Sequence, residues 1–279
     1  MQDSRIVTRK NAAEWSGVSM SSQSTIGFIG VGEIAEAIVE GLMASDAPPP
    51  VHLSPRGRER AASLSTRFPD QVTVAGSNQE VVDAADTVVL AVLPDQLTEV
   101  VGPLEFRDDQ VVISALAGVT IAEVAAAVGA PVPVIRAIPM PPVRDRAVAT
   151  VITPEHPAAT ALFDRTGGTL PVAGEDDLAV FSAATGAVSG YLQYLAVVCA
   201  WTESRGVPRE SGEQFLRGLF GGLSAAILDG SRSISDIVTA HETPGGLNEQ
   251  LREDVFDQSG TDALTGALDR LHARVTGSD

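Results

Sequence analysis

The sequence predicts an α/β chain in which an N-terminal, Rossmann-type doubly wound sheet is followed by an all-α dimerisation domain. Three observations carry that expectation. From Thr25 to about Gly174, short apolar, β-branched runs alternate with longer mixed segments, the pattern of successive βαβ units. The first of these runs opens straight into Gly30-Val31-Gly32-Glu33-Ile34-Ala35. After Gly174 the β-branched runs stop, and long Ala/Leu/Val segments at helical spacing take over.

Taken in order, the strands are expected at Thr25–Gly30, Val51–Ser54, Val72–Ala75, Thr87–Val92, Val111–Ala115 and Val132–Ala137, all running one way, with a return pair at Ala147–Ile152 and Thr169–Val172. Between the earlier strands, helices are expected at Glu33–Ala44, Arg58–Phe68, Asn78–Ala84 and Leu97–Val101. The second half reads as helices over Asp177–Ala200, Ser211–Leu228, Ile234–Ala240 and Pro244 to about His272. Their many small residues, among them Ala183, Ala184, Gly186, Gly221 and Gly222, let backbones approach closely. Such a helix set is expected to bury surface against a second copy of itself, as a homodimer or higher homo-oligomer. The domain division is therefore residues 1–24, a polar leader expected to be disordered; 25–174, a dinucleotide-binding domain; and 175–279, a helical dimerisation and substrate domain.

Composition narrows the function classes. The 279 residues carry 19 Lys+Arg against 36 Asp+Glu, a net charge of −17. A surface of that sign repels polyanions, so no nucleic-acid partner is expected. Cys199 is the single cysteine, which excludes an internal disulfide and any metal cage needing two thiolates, and no two histidines stand at metal-ligand spacing. No metal is expected. Lys10 is the only lysine and lies in the leader, so Schiff-base catalysis has no buried lysine to use. The leader also holds Met20, just before the point where ordered structure is expected to begin. No run of 18 apolar residues and no secretory leader is legible, and the chain reads as soluble and cytoplasmic, with no membrane partner.

The glycine loop carries the chemistry. In a G-x-G-x-x-A turn between strand and helix, the first glycine makes the tight turn, the second admits a pyrophosphate to the backbone, and the third small residue seats helix on strand. Here these are Gly30, Gly32 and Ala35. The helix N-terminus beyond them offers unpaired N–H groups to the phosphates. About 20 residues on, an acid would hold the 2′-hydroxyl of NAD, whereas an arginine would accept the 2′-phosphate of NADP. The chain reads Ser54-Pro55-Arg56-Gly57-Arg58, with no acid, so Ser54, Arg56 and Arg58 select NADP(H).

Several blocks together resemble the Δ1-pyrroline-5-carboxylate reductase family: Ile26–Leu42, Leu90-Ala91-Val92-Leu93-Pro94, Val112–Val119, Val134-Ile135-Arg136-Ala137-Ile138-Pro139 and Thr243-Pro244-Gly245-Gly246. The resemblance spans about Thr25 to Leu271. It implies reduction of a cyclic imine by NAD(P)H, as in L-proline biosynthesis, with a small-molecule substrate held at a dimer interface. It assigns Gly30, Val31, Gly32, Glu33 and Ile34 to the phosphate loop, Ser54 and Arg56 to the adenosine end, and Ala91, Leu93, Pro94, Ala115 and Met140 to the rest of the cofactor. Leu93 replaces the lysine of the family's Ala-Val-Lys-Pro turn, and Met140 replaces an asparagine. On the substrate side it implies Thr185, Gly245, Gly246 and Leu247 as binding residues, with Thr243 and Asn248 nearest the reacting nitrogen. The family's glutamate on the long helix falls on Val197, and Leu247 makes the pocket less polar. His241, two residues before the Pro-Gly-Gly turn, reads as a helix-terminal histidine bonded to the last carbonyls, while His52, His156 and His272 read as surface or strand-edge residues. Three readings stand: the proline-forming reductase, an NADP-dependent reductase of a different imine or carbonyl compound, and a non-catalytic NADP-binding dimer.

Overall fold

The computed structural model describes residues 24–278. The leader up to Gln23, with Lys10 and Met20, lies outside the described residues. The chain divides into two compact units after Leu178.

The first unit is built on an eight-stranded sheet of order β3-β2-β1-β4-β5-β6-β7-β8. Its strands are β1 (Ile26–Ile29), β2 (Val51–Leu53), β3 (Val72–Val74), β4 (Thr87–Leu90), β5 (Val111–Ser114), β6 (Val134–Ile138), β7 (Thr150–Thr153) and β8 (Thr169–Pro171). The first six are parallel; β7 runs antiparallel to β6, and β8 follows β7. Parallel strands covered on both faces must be apolar at every position, and all four residues of β1 and of β4 are buried. Alternate residues then feed two cores. Phe28, Val89, Ile113 and Ile135 pack on one face, against α1 (Glu33–Met43) and α2 (Arg58–Arg67). Ile29, Leu90, Val112 and Val134 pack on the other, against α3 (Asn78–Ala84), α4 (Leu97–Val101) and α5 (Ile121–Val128). Strand order reverses between β1 and β4, and ligands of such sheets bind beyond the strand ends at that point.

Two helices of this unit lie outside the sequence expectation, and caps start both. For α5, Thr120 and Glu123 form a reciprocal capping box. The hydrogen bonds from Thr120 hold the Glu123 carboxyl below the usual carboxylate range. For α6 (Pro157–Phe163), the His156 ring accepts the Ala158 N–H at 3.2 Å, and Pro157 occupies the first helical position. His156 is therefore no surface residue: it is 5% exposed, and burial pushes its pKa down. A histidine that folds neutral charges more readily when unfolded, so its contribution is complete above the unfolded value near pH 6.5 and is lost as pH falls from there through the lower folded value. The non-titrating cap variant His156→Asn should flatten the fall in stability below about pH 6.5, read from urea midpoints. Identical profiles for the two proteins would refute this role.

The second unit is helical. Beyond α7 (Glu175–Ala184), within which the division falls, come α8 (Ala187–Ser204), α9 (Arg209–Gly221), α10 (Ser224–Leu228), α11 (Ile234–Ala240), α12 (Leu247–Val255) and α13 (Gln258–Thr276). Three of the four helices expected here are each split in two. The segment expected from Asp177 breaks at Thr185-Gly186, where the Thr185 hydroxyl donates to the Ser182 carbonyl at 2.7 Å and a Cβ on Gly186 would meet Leu271 at 2.5 Å. The segment from Ser211 breaks at Gly222-Leu223, and the one from Pro244 breaks where Asp257 caps the Gly260 N–H at 2.8 Å. Within the single chain α8 buries no residue. The helical stretch Glu175–Ser204 is long and apolar enough, by length and composition, to cross a membrane.

Candidate functional site

At the strand-order reversal, Ile29 ends β1 and the chain turns at Gly30, with φ +93°. A Cβ there would stand 2.6 Å from the Ala91 carbonyl oxygen, so the turn requires glycine both for its dihedral and for its contact with the end of β4. Gly32 differs. It caps α1 with φ −89° and no side-chain hydrogen bond, and nothing lies within 4 Å of a Cβ built on it. The first N–H groups of α1 thus face open space without a side-chain acceptor, as anion binding requires.

An open groove of about 480 Å³ lies over this turn. It is lined by Gly30, Val31, Gly32, Glu33, Ile34, Arg56, Ala91, Leu93, Pro94 and Ala115 from the sequence expectation. It is also lined by Gly57, Val92, Gln96, Leu116 and Ala117, which the sequence reading did not single out. Gly57 had a legible signal, a glycine between two arginines at a helix start. Its φ is +79°, and a Cβ would come 2.4 Å from the Val31 carbonyl oxygen, so the arginine loop packs directly on the glycine loop.

Three expected cofactor residues are placed otherwise. Ser54 is fully buried, and its hydroxyl accepts the Gly30 N–H at 3.0 Å. It fixes the turn from behind rather than facing the groove. Arg58 opens α2 and is exposed but does not line the groove. Met140 is half-buried before the 3₁₀ turn Pro141–Asp145, again outside the lining. Arg56 does reach the groove; its guanidinium is 58% exposed and lies 4.0 Å from the Glu99 carboxylate.

In the helical unit, Thr243-Pro244-Gly245-Gly246 turns the chain into α12, with Gly245 at φ +70° and Gly246 as an N-cap without a side-chain partner. The turn is partly satisfied from within. Glu249 accepts the Gly245 N–H at 2.5 Å, and the Thr243 carbonyl accepts the Gly246 N–H at 2.7 Å. The open donors are therefore the next amides, from Leu247 onward. Leu247 itself is 85% exposed. The Asn248 amide donates to the His241 carbonyl at 2.7 Å, tying α12 to the end of α11 and leaving its own carbonyl oxygen and one N–H for another partner. The His241 ring bonds the Ile237 carbonyl at 2.8 Å, the helix-terminal role the sequence suggested. Beside Asn248 and His241 lies a cavity of about 630 Å³ with Tyr194, Phe220, Ile237, Leu251 and Phe256 in its walls. Thr185 stands apart from this turn in sequence, its hydroxyl engaged at the α7–α8 break. Among the described residues no three His, Cys, Asp or Glu side chains group as a metal site.

Residues 25–118 match the family model described as NADP oxidoreductase, coenzyme F420-dependent. A pyrroline-5-carboxylate reductase of Corynebacterium melassecola is 29% identical over 239 residues, covering 80% of this chain and 87% of that protein. Among solved structures, a pyrroline-5-carboxylate reductase from Coxiella burnetii shares the fold with a TM-score of 0.79 at 24% identity, covering 91% of this chain and 98% of its own. The Plasmodium falciparum pyrroline carboxylate reductase, solved with NADP bound, shares it at 0.76 and 15% identity over 92% of this chain and 98% of that one.

Proposed function

We propose that the chain is a pyrroline-5-carboxylate reductase, the name carried by relatives 26–29% identical over most of its length, and that it reduces the imine bond of pyrroline-5-carboxylate with NADPH, the step that yields proline. The observation that carries the reading is the groove over Gly30 and Gly32, whose open backbone amides and single arginine match a coenzyme bearing a pyrophosphate and a 2′-phosphate.

When bound there, NADPH supplies a hydride to the imine carbon. The protein's own work is placement. Gly30 and the α1 amides hold the pyrophosphate, Ser54 keeps that turn rigid, and Arg56 takes the 2′-phosphate. In the helical unit the amides at the start of α12 receive the substrate carboxylate, and Asn248, steadied by the His241 carbonyl, presents its free amide atoms to the ring nitrogen. Thr243, in the turn itself, adds a hydroxyl to that site, whereas Thr185 spends its hydroxyl on the Ser182 carbonyl.

A second copy of the chain supports the reading further. Tyr191, Val197 and Trp201 of α8 are 49%, 58% and 58% exposed within one chain. Burying those side chains against a second copy would satisfy them without a lipid bilayer, which supports a homodimer or larger assembly as the working form. Exposed Leu247 favours a less polar imine as the second reading.

Two measurements test this. Millimolar pyrroline-5-carboxylate should drive NADPH oxidation, and absence of turnover with it, alongside turnover of an apolar cyclic imine, would transfer the assignment to the second reading. Arg56→Ala should weaken NADPH by about tenfold while leaving NADH within about twofold, as expected for one charge-assisted contact. Arg58→Ala, outside the groove, should change neither appreciably. Equal losses for the two nucleotides in Arg56→Ala would refute the 2′-phosphate contact.

A further inference from the structure

We propose that Glu99 is a specificity-determining residue of the coenzyme groove, holding Arg56 when the groove is empty and setting how strongly the protein prefers NADPH over NADH. This rests on the placement of the coenzyme in the groove argued above.

The geometry is simple. Arg56, from the loop after β2, lines the groove, and Glu99, on α4, stands three residues past Gln96 at its edge, outside the lining. Their charged groups approach to 4.0 Å, with side chains 58% and 78% exposed. Arg56 makes no other salt bridge among the described residues, so Glu99 is its one charged partner within the chain. A pair so open is weak and screened, which lets a phosphate displace the carboxylate. The displacement has a cost on each side. A 2′-phosphate must separate Arg56 from Glu99, and it then lies close to a like charge. A 2′-hydroxyl has neither penalty, because it leaves the pair intact and can donate to the carboxylate. Glu99 thus opposes NADPH and tolerates NADH, so the selectivity that Arg56 alone would confer is reduced.

The test is a titration of the full-length protein by nucleotide fluorescence or calorimetry, with KM values measured in parallel. Glu99→Gln should tighten NADPH about threefold and leave NADH unchanged or slightly weaker, as expected for loss of an exposed charge. Glu99→Arg should tighten NADPH roughly tenfold at low salt, and both effects should fade near 1 M salt, where screening is nearly complete. Either variant shifting the two nucleotides by the same factor, or shifting neither while the wild type binds NADPH, would overturn the role of Glu99. A wild type that binds neither nucleotide would instead overturn the placement of the coenzyme, and the role of Glu99 with it. Both variants lie on an exposed helix face, so thermal unfolding should match the wild type.

Discussion

Replacing Gly30 with alanine should abolish usable NADPH binding, and replacing Gly32 should weaken it by a different route. At Gly30 the backbone holds φ +93°, and the added methyl would lie 2.6 Å from the Ala91 carbonyl oxygen and 2.9 Å from Val92. The contact with Ala91 is to backbone, which no side-chain rotation relieves, so the turn itself must shift and break its hydrogen bond to Ser54. We expect about 2–4 kcal/mol of lost stability together with at least a hundredfold weaker NADPH. At Gly32 the backbone suits any residue and the methyl meets no protein atom. Gly32→Ala should therefore unfold within about 0.5 kcal/mol of the wild type, while its methyl fills the space a pyrophosphate needs and weakens NADPH severalfold or more. Urea denaturation and nucleotide titration on the two variants separate fold from binding. Normal NADPH affinity in Gly32→Ala would place the phosphates elsewhere.

The second large effect concerns Glu175. Arg136 enters the sheet on β6 with its side chain 8% exposed, and its guanidinium meets the Glu175 carboxylate at 2.7 Å. The same oxygen accepts the Ile121 N–H at 3.0 Å, at the start of α5. Removing the acid leaves a buried cation and an orphaned helix amide. Glu175→Ala should cost about 3 kcal/mol, the lower end of what breaking a buried pair costs, because the Glu175 side chain is 34% exposed. Arg136→Leu should cost less than half as much, since the carboxylate left behind is 34% exposed and still accepts the Ile121 N–H. Urea midpoints settle it, and a loss below about 1 kcal/mol for Glu175→Ala would show that solvent replaces the carboxylate.

Much of the first unit was legible because of what parallel strands demand. Runs such as Val88–Leu90 are apolar at every position, so strand positions, direction and the β1–α1 glycine turn could be read from the sequence. Helices α5 and α6 were not, since both are short and owe their start to caps. Thr120 with Glu123 was a readable signal, whereas a histidine serving as the N-cap of α6 was not. The long helices of the second unit broke for local reasons that spacing hides, as at Asp257, whose side chain takes an amide of the next helix.

The candidate site shows the same division. Gly30 and Gly32 stand at the β1–α1 turn and line the groove, as their spacing suggested, because glycine at a turn has few other uses. Polar side chains were harder. Ser54 turned inward to Gly30, and Asn248 spent one donor on His241, because each found a backbone partner within the fold. Glu249 closing on Gly245 went unread, although its spacing of four residues was in plain sight.

Calorimetric titration of the purified chain with NADPH tests the central claim most directly. Saturable heat from wild type, much reduced for Arg56→Ala and absent for Gly30→Ala, is the expected result. No heat from wild type with NADPH or NADH would contradict it.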